Sequence, residues 1–512
     1  MSRKRSEIHL EFAAAKNTTK SVRRRTTGFR WLRHTSRLRQ YVPPRTALNE
    51  IRNFKSQRRD YLNTIHWPQA VSEIHLKENI LTMTDFTARA SSPTQEHAYR
   101  RGPRITMLET SVPHEVMPGL LALRIHTDAG TVGGIPVIGH GETYYIPTAA
   151  ATVIHDFMAP RLLGSDARAI ESHWRFLYER ITAFGGTGAE LRALSAIDLA
   201  LWDIAGQLAE LPVWRLLGGP VRDSIPVYNS CGGPFYGRSN RKTPSASGWP
   251  GHGDPGQPGP LEDNWASMNS PGDLADELVA LGYKGMKLWS FDAVYRRQGG
   301  HYLTQADIRE GVAPFEKIRE RVGDRIELML DGHGFFSFAA ARRIAEGMQA
   351  VRPLWMEDIL RPDSVHAMAA FRAQISVPVA VSEMLVMTDH YRQVLDAQAA
   401  DYVMIDPTWV GGISATRRIA ELAQLYNVPT LMHDCTGPLT LFSGINVAAA
   451  NSGVAFQETV RAHITTLYPS LIDENVVVEN GEIAIPQRPG IGARWLPELF
   501  DTGHPGYRRS SL

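Results

Sequence analysis

An α/β barrel behind a small α+β domain is the fold that this 512-residue sequence predicts. Three observations carry it. Six polar residues in the C-terminal half each close a short apolar run: Asp331 in IELMLDGHG, Glu357 in PLWMED, Glu383 in PVAVSE, Asp406 in YVMIDPT, His433 in PTLMHD and Glu458 in VAFQE. Their gaps are 26, 26, 23, 27 and 25 residues, the length of one strand, one helix and two loops. In a barrel of parallel strands all such ends meet at one face, so acids and a histidine at that phase mark one pocket. The second observation is a meander of strand-like runs followed by helical runs ahead of that series. The third is composition: 43% hydrophobic residues suffice for a large core.

From the N-terminus, the first 60 residues hold 17 Lys+Arg against 4 Asp+Glu. They carry +13, which leaves −11 on the rest of a chain whose net charge is +2. Such a basic arm suits nucleic-acid binding or an organelle transit peptide. The segment lacks strand or helix periodicity, however, and Met83 offers a second start. Residues 1–103 are therefore expected to be a disordered or non-native extension, with 1–82 arising from an upstream start. No apolar run reaches the roughly 18 residues of a membrane span, and no signal segment opens the chain. Two cysteines, Cys231 and Cys435, lie in barrel-like sequence and read as reduced thiols, which fits a cytoplasmic protein.

ITMLETSVPHEV, GLLALRIHTDAGTVGG and IPVIGHGETYY read as antiparallel strands with turns at DAG and the glycine pairs. HDFMAPRLLG, AIESHWRFLYERI and LRALSAIDLALWDIAGQLAEL are helical; the last has Leu191, Leu194, Ile197, Leu201 and Ile204 on one face. Residues 104–220 thus form the small domain, completed by about 475–500, and 221–474 form the barrel. IPVYNS is its first strand and YKGMKLW its second. Residues 232–270, rich in Gly, Pro and Ser, are expected to be a surface loop. Its GxGxxG at Gly251, Gly253 and Gly256 contains Pro255, with no strand before it or helix after it, which argues against a dinucleotide site. VVVENGEIAIPQRPGIGARW is expected to pack back on the small domain.

Asp331, Glu357 and Glu383 end three successive strands. Three hard oxygen ligands with open positions suit Mg²⁺, and without a cation three crowded carboxylates could not all stay ionised. Asp406 and His433 end neighbouring strands, so the carboxylate can hold one ring nitrogen and leave the other as a base. Lys287 should point into the same pocket, to neutralise a substrate carboxylate or act as a base from the opposite side. His333, two residues beyond Asp331, is a candidate general acid.

With these residues in this order, together with SAIDLALWDIAG, LPVWRLLGG, VMIDPTWVGGI and PGIG, the chain resembles the enolase superfamily, mandelate racemase/muconate lactonizing enzyme subgroup, from about Ile105 to Trp495. The resemblance implies a modified (β/α)₇β TIM barrel with an N-terminal α+β capping domain. It also implies a Mg²⁺-assisted removal of the proton α to a carboxylate, with His433 oriented by Asp406 as base. Glu458 would hydrogen-bond the substrate carboxylate in protonated form. Homo-oligomers, dimers or octamers, are common in this group.

One departure bears on the reaction. Racemases of the group carry Lys-x-Lys on the second strand, whereas this chain has Lys287-Leu288-Trp289. The Asp331-x-His333 pair is instead similar to galactonate-dehydratase-like members, in which such a histidine protonates the departing β-hydroxyl. The expectation is a lyase that dehydrates a sugar acid, aldonate or aldarate, to a 2-keto-3-deoxy acid. Selectivity is expected to come from Val112–Met117 and the 232–270 loop. A hydroxy-acid racemase or epimerase using His433 and Lys287 is the alternative. A non-catalytic protein acting through the basic tail is a remote one.

Overall fold

The computed structural model describes residues 102–234 and 257–512. The basic N-terminal segment, its proposed start at Met83 and the GxGxxG at Gly251 lie outside the described residues.

Strands β1 (Ile105–Ser111), β2 (Leu120–Val132) and β3 (Ile135–Tyr144) form an antiparallel sheet. The helices Ile170–Ile181 and Ala189–Ala209 follow it in the chain. β3 alternates small and large side chains because the second helix lies almost on its backbone. A Cβ on Gly139 would stand 2.1 Å from the Ala200 carbonyl oxygen, and one on Gly141 2.0 Å from that of Ala196. Neither backbone can yield cheaply. Gly141→Ala is therefore expected to cost about 1–3 kcal/mol of stability or more, as overpacked cores do. A thermal melt identical to the parent's would show that the helix is free to move away.

β4 (Ser224–Ser230), β5 (Gly285–Leu288), β6 (Glu327–Asp331), β7 (Trp355–Glu357), β8 (Val379–Val381), β9 (Tyr402–Ile405), β10 (Thr430–Met432) and β11 (Val454–Thr459) are parallel in sequence order. β11 pairs with β4, Glu458 opposite Tyr228, and closes the barrel. Helices lie between the strands, for example Gln305–Val322 before β6 and Gly412–Leu425 before β10. The interior is filled by Tyr228, Met329, Trp355, Ala380, Met404 and Leu431, all buried. Alternate residues of a strand share a face, so this layer is the floor on which the next inward residues stand.

Two elements differ from expectation. The stretch read as a loop through residue 270 contains the helix Asp263–Asn269, which buries Asp263 against Arg461 at 2.7 Å. The C-terminal return divides between both domains. Its hairpin Val478–Glu479/Glu482–Ala484 extends the barrel, with Ile483 opposite Ile225. Beyond it, the Ile491 N–H donates to Asp203 (2.8 Å) and the Trp495 indole to the Gly141 carbonyl (3.0 Å), both in the capping domain. A last strand, Arg508–Ser511, adds to the edge of β1. Short polar strands such as these carry too few apolar residues for periodicity to reveal them. Among the described residues no helix is long and apolar enough to cross a membrane.

Candidate active site

The side chains that stand one step above the interior floor are the predicted polar ones. Met329 precedes Asp331 by two residues, as Trp355 precedes Glu357, Met404 precedes Asp406, Leu431 precedes His433 and Phe456 precedes Glu458. Lys287 follows Gly285, whose missing side chain makes room for Met329. Strand alternation alone therefore turns these groups inward at the carboxyl face. Glu383 breaks the phase, lying three residues after Ala380 and beyond the end of β8. It reaches the site from a loop.

These residues surround one narrow pocket. Lys287, Asp331, His333, Glu383, His433 and Glu458 line it, whereas Glu357 lies behind them, fully buried. Lys287 is the hub. Its Nζ is 3.0 Å from both oxygens of Glu357, 2.8 Å from Glu458 Oε1 and 3.8 Å from Asp331 Oδ2. Burial disfavours the ammonium, but the charges of Glu357 and Glu458 outweigh it and hold its pKa well above the usual lysine value. Burial likewise pushes Glu357 well up, against the pull of Lys287 and with the help of the neighbouring carboxylates. Glu458 thus has an ion-pair partner that the expectation of a protonated acid did not include.

His433 Nδ1 is 2.7 Å from Asp406 Oδ2. The other oxygen of Asp406 accepts from the Thr408 N–H (2.7 Å) and hydroxyl (2.6 Å). With Nδ1 so engaged, Nε2 faces Glu383 and Glu458, each at 3.8 Å, and the Cys435 sulfur at 3.4 Å. Burial opposes its protonation, yet the surrounding acids raise its pKa well above 6.5. Cys231 and Cys435 are both free thiols.

His333 sits on the other wall, in a left-handed conformation (φ 50°) that the Asp331 carboxylate supports by accepting its N–H at 2.9 Å. Its Nδ1 is 3.0 Å from Asp292 and its Nε2 3.3 Å from Asp331. Burial disfavours the imidazolium, but these two carboxylates raise its pKa to about 9.

Sequence reasoning missed Asp292, the first residue of the short helix after β5. It also missed Tyr145 and Trp409, whose rings meet 5.6 Å apart along the pocket's His433 side. None of Val112–Met117, expected to select substrate, lines the pocket, and Val112 and Met117 are buried. Tyr145 is what the capping domain contributes there, at the end of a strand whose GETYY gave no hint of which domain it would touch.

Three carboxylates, two at the ends of β6 and β7 and one on the loop after β8, are the hard donors that a divalent cation such as Mg²⁺ takes, and their mutual repulsion calls for positive charge. The set fits that ion in chemistry. As the side chains stand, no three His, Cys, Asp or Glu groups among the described residues converge closely enough to hold one. Lys287 supplies the positive charge between Asp331 and Glu357.

Convergence of buried polar groups at the carboxyl face is where barrel enzymes do their chemistry, so fold and pocket together define a capped-barrel enzyme. Comparison with known proteins narrows the class. The profile of the mandelate racemase / muconate lactonizing enzyme N-terminal domain matches residues 100–218, and that of the enolase C-terminal domain-like family matches 272–499. An enolase protein from the Sargasso Sea environmental genome is 35% identical, with 80% of this chain and 99% of that chain covered at a TM-score of 0.68. An enolase of the mandelate racemase subgroup from Agrobacterium tumefaciens is 30% identical, with the same coverage and TM-score. The chain belongs to the enolase superfamily, in the mandelate racemase subgroup. In sequence it is 27% identical to the D-xylonate dehydratase of Haloferax volcanii, covering 80% of this chain and 91% of that protein. It is 25% identical to the arabinonate dehydratase of Saccharolobus solfataricus, covering 75% and 90%.

Proposed function

We propose that this chain is a Mg²⁺-dependent hydro-lyase that converts a sugar acid into a 2-keto-3-deoxy acid and water. The observation that carries the reading is the pair of histidines, each backed by its own carboxylate, on opposite sides of one pocket. His433 follows the seventh barrel strand and its partner Asp406 the sixth, whereas His333 follows the third and its partner Asp292 the second. Elimination needs a base at the α-carbon and an acid at the β-hydroxyl. His433 Nε2 takes the α-proton. His333, held charged by two carboxylates, gives a proton to the β-hydroxyl, which leaves as water. The enol that remains tautomerises to the 2-keto acid.

Lys287, which its acid neighbours keep protonated, is suited to hold the substrate carboxylate, with Glu458 beside it. Asp331, Glu357 and Glu383 would hold Mg²⁺, and the chemistry that the ion would supply is Lewis-acid stabilisation of negative charge on the substrate carboxylate. The dehydratase names of several relatives support the same reaction class.

The racemase reading asks Lys287 to be a second base. In the metal-free protein Glu357 and Glu458 favour the charged form of Lys287, which does not suit a base, and Trp289 stands where the group's second lysine would.

A library of acid sugars incubated with Mg²⁺ in D₂O tests the proposal, with 2-keto product and deuterium in recovered substrate read together. The parent should yield keto product. His333→Gln should lose at least about 10² of product formation while still exchanging the α-proton. Full activity in that variant would remove His333 from the mechanism, and exchange without keto product in the parent would favour epimerisation.

A further inference from the structure

β3 ends against the barrel on the His433 side, at the loop after β9 and the start of the helix after β10. Glu142 is fully buried there. Its Oε1 accepts from the Thr440 N–H (2.5 Å) and hydroxyl (2.6 Å), in the first turn of the barrel helix Pro438–Ala450. Gly437 leaves the room for it, since a Cβ there would stand 2.5 Å from that oxygen. The next residue of β3 docks too: the Thr143 hydroxyl donates to the Thr408 carbonyl at 2.9 Å.

From Thr440 the contacts run on to the dyad. Its hydroxyl oxygen lies 3.2 Å from that of Thr408 and 3.3 Å from that of Thr436. Thr408 donates to Asp406 Oδ1, and Thr436 donates to Asp406 Oδ2 at 3.0 Å, the oxygen that also receives His433 Nδ1. Thr408 and Thr436 each have one hydroxyl proton, and both protons go to Asp406. The Thr408 oxygen has lone pairs that can accept from Thr440 at 3.2 Å, but the Glu142 carboxyl oxygen at 2.6 Å is the closer acceptor and takes the Thr440 proton. Thr440 therefore holds the other two threonines by oxygen–oxygen packing.

We infer that Glu142 is a positioning residue for the His433–Asp406 dyad. Seated on the helix start, it fixes Thr440 and through it the two threonines that hold the Asp406 carboxylate, so the base is aligned when the capping domain is docked. This rests on His433 being the base, as proposed above.

The test uses the full chain with Glu142→Leu, Glu142→Gln and Thr440→Val. Two readouts are taken: kcat and KM on a sugar acid that the parent dehydrates, and the downfield proton resonance of His433 Nδ1–H in substrate-free protein, assigned by its loss in His433→Asn. Glu142→Leu and Thr440→Val should lower kcat about 10- to 100-fold, the cost of a slightly misplaced reacting group. KM should stay within about 3-fold, and the resonance should shift or broaden. Glu142→Gln, whose amide oxygen still accepts from Thr440, should keep most of kcat and the parent's resonance. Should Glu142→Leu fail to fold, Thr440→Val breaks the same chain with one hydroxyl removed. An unmoved resonance and kcat in Thr440→Val would overturn the inference, as would equal losses in Glu142→Gln and Glu142→Leu that track lost stability. If the parent turns over no sugar acid, the resonance decides alone, and only the proposed reaction falls.

Discussion

His433→Asn is expected to lower kcat by about 10² to 10⁴-fold, the usual contribution of a positioned base, with a far-ultraviolet spectrum and melting temperature close to the parent's. Asn is smaller than His, so it enters the pocket without a clash, and its amide can still donate toward Asp406. What it cannot do is accept a proton. The acids around His433 hold its pKa well above 6.5, so the parent's kcat/KM should climb with pH as the imidazole loses its proton, and that limb should be absent from the residual rate of the variant. Deuterium should fail to enter the α-position of recovered substrate. Wild-type exchange in His433→Asn would move the base elsewhere in the pocket and leave the Asp406 hydrogen bond as a structural one.

That this residue could be named from sequence follows from strand geometry. A side chain two positions after an inward apolar residue is itself inward, and a strand that ends there delivers it to the carboxyl face. Asp331, Glu357, Asp406, His433 and Glu458 all obey that count, and so does Lys287. Glu383 shows where the count stops. Its strand ends at Val381, and a loop residue carries no phase, so only the regular spacing of the series pointed to it.

Contacts between distant segments were beyond reach for a related reason. Asp292 meets His333 across 41 residues and Glu142 meets Thr440 across 298. Nothing local in SFDAVYRR distinguishes a carboxylate that backs an imidazole from one that starts a helix; Asp292 is both. The acid in IPVIGHGETYY was the one available hint, since a carboxylate in a glycine-rich buried strand needs a donor to meet it. Identifying that donor requires knowing how the capping domain sits on the barrel, which contacts such as the Thr143 hydroxyl on the Thr408 carbonyl reveal only in the fold.

Lys287→Met is expected to destabilise the metal-free protein by about 3–5 kcal/mol, the usual cost of removing one partner from a buried ion pair. Lys287, Glu357 and Glu458 are at most 2% exposed, so water cannot replace the missing ammonium. Methionine nearly matches the lysine stem in volume, and the loss is therefore one of charge more than of packing. The pH dependence follows from the direction of the Glu357 shift. Its folded pKa is raised above the ordinary 4.5, so the native state binds the proton more tightly than the unfolded chain does. Stability from this group is complete below the unfolded value and declines as pH rises toward the folded one. Without Lys287 the folded value climbs further. The deficit of the variant should accordingly be larger at pH 8 than at pH 5.5, as read by urea unfolding.

Mg²⁺ should act in the opposite sense. A ligand of the native state at 100 times its Kd adds about 2.7 kcal/mol, and the variant should gain more than the parent, because the ammonium no longer competes for the same carboxylates. A deficit below about 1 kcal/mol at both pH values, unmoved by Mg²⁺, would mean that the three acids share protons without help from Lys287. The need for a cation, which is the physical basis for placing a metal among Asp331, Glu357 and Glu383, would then lose its main support.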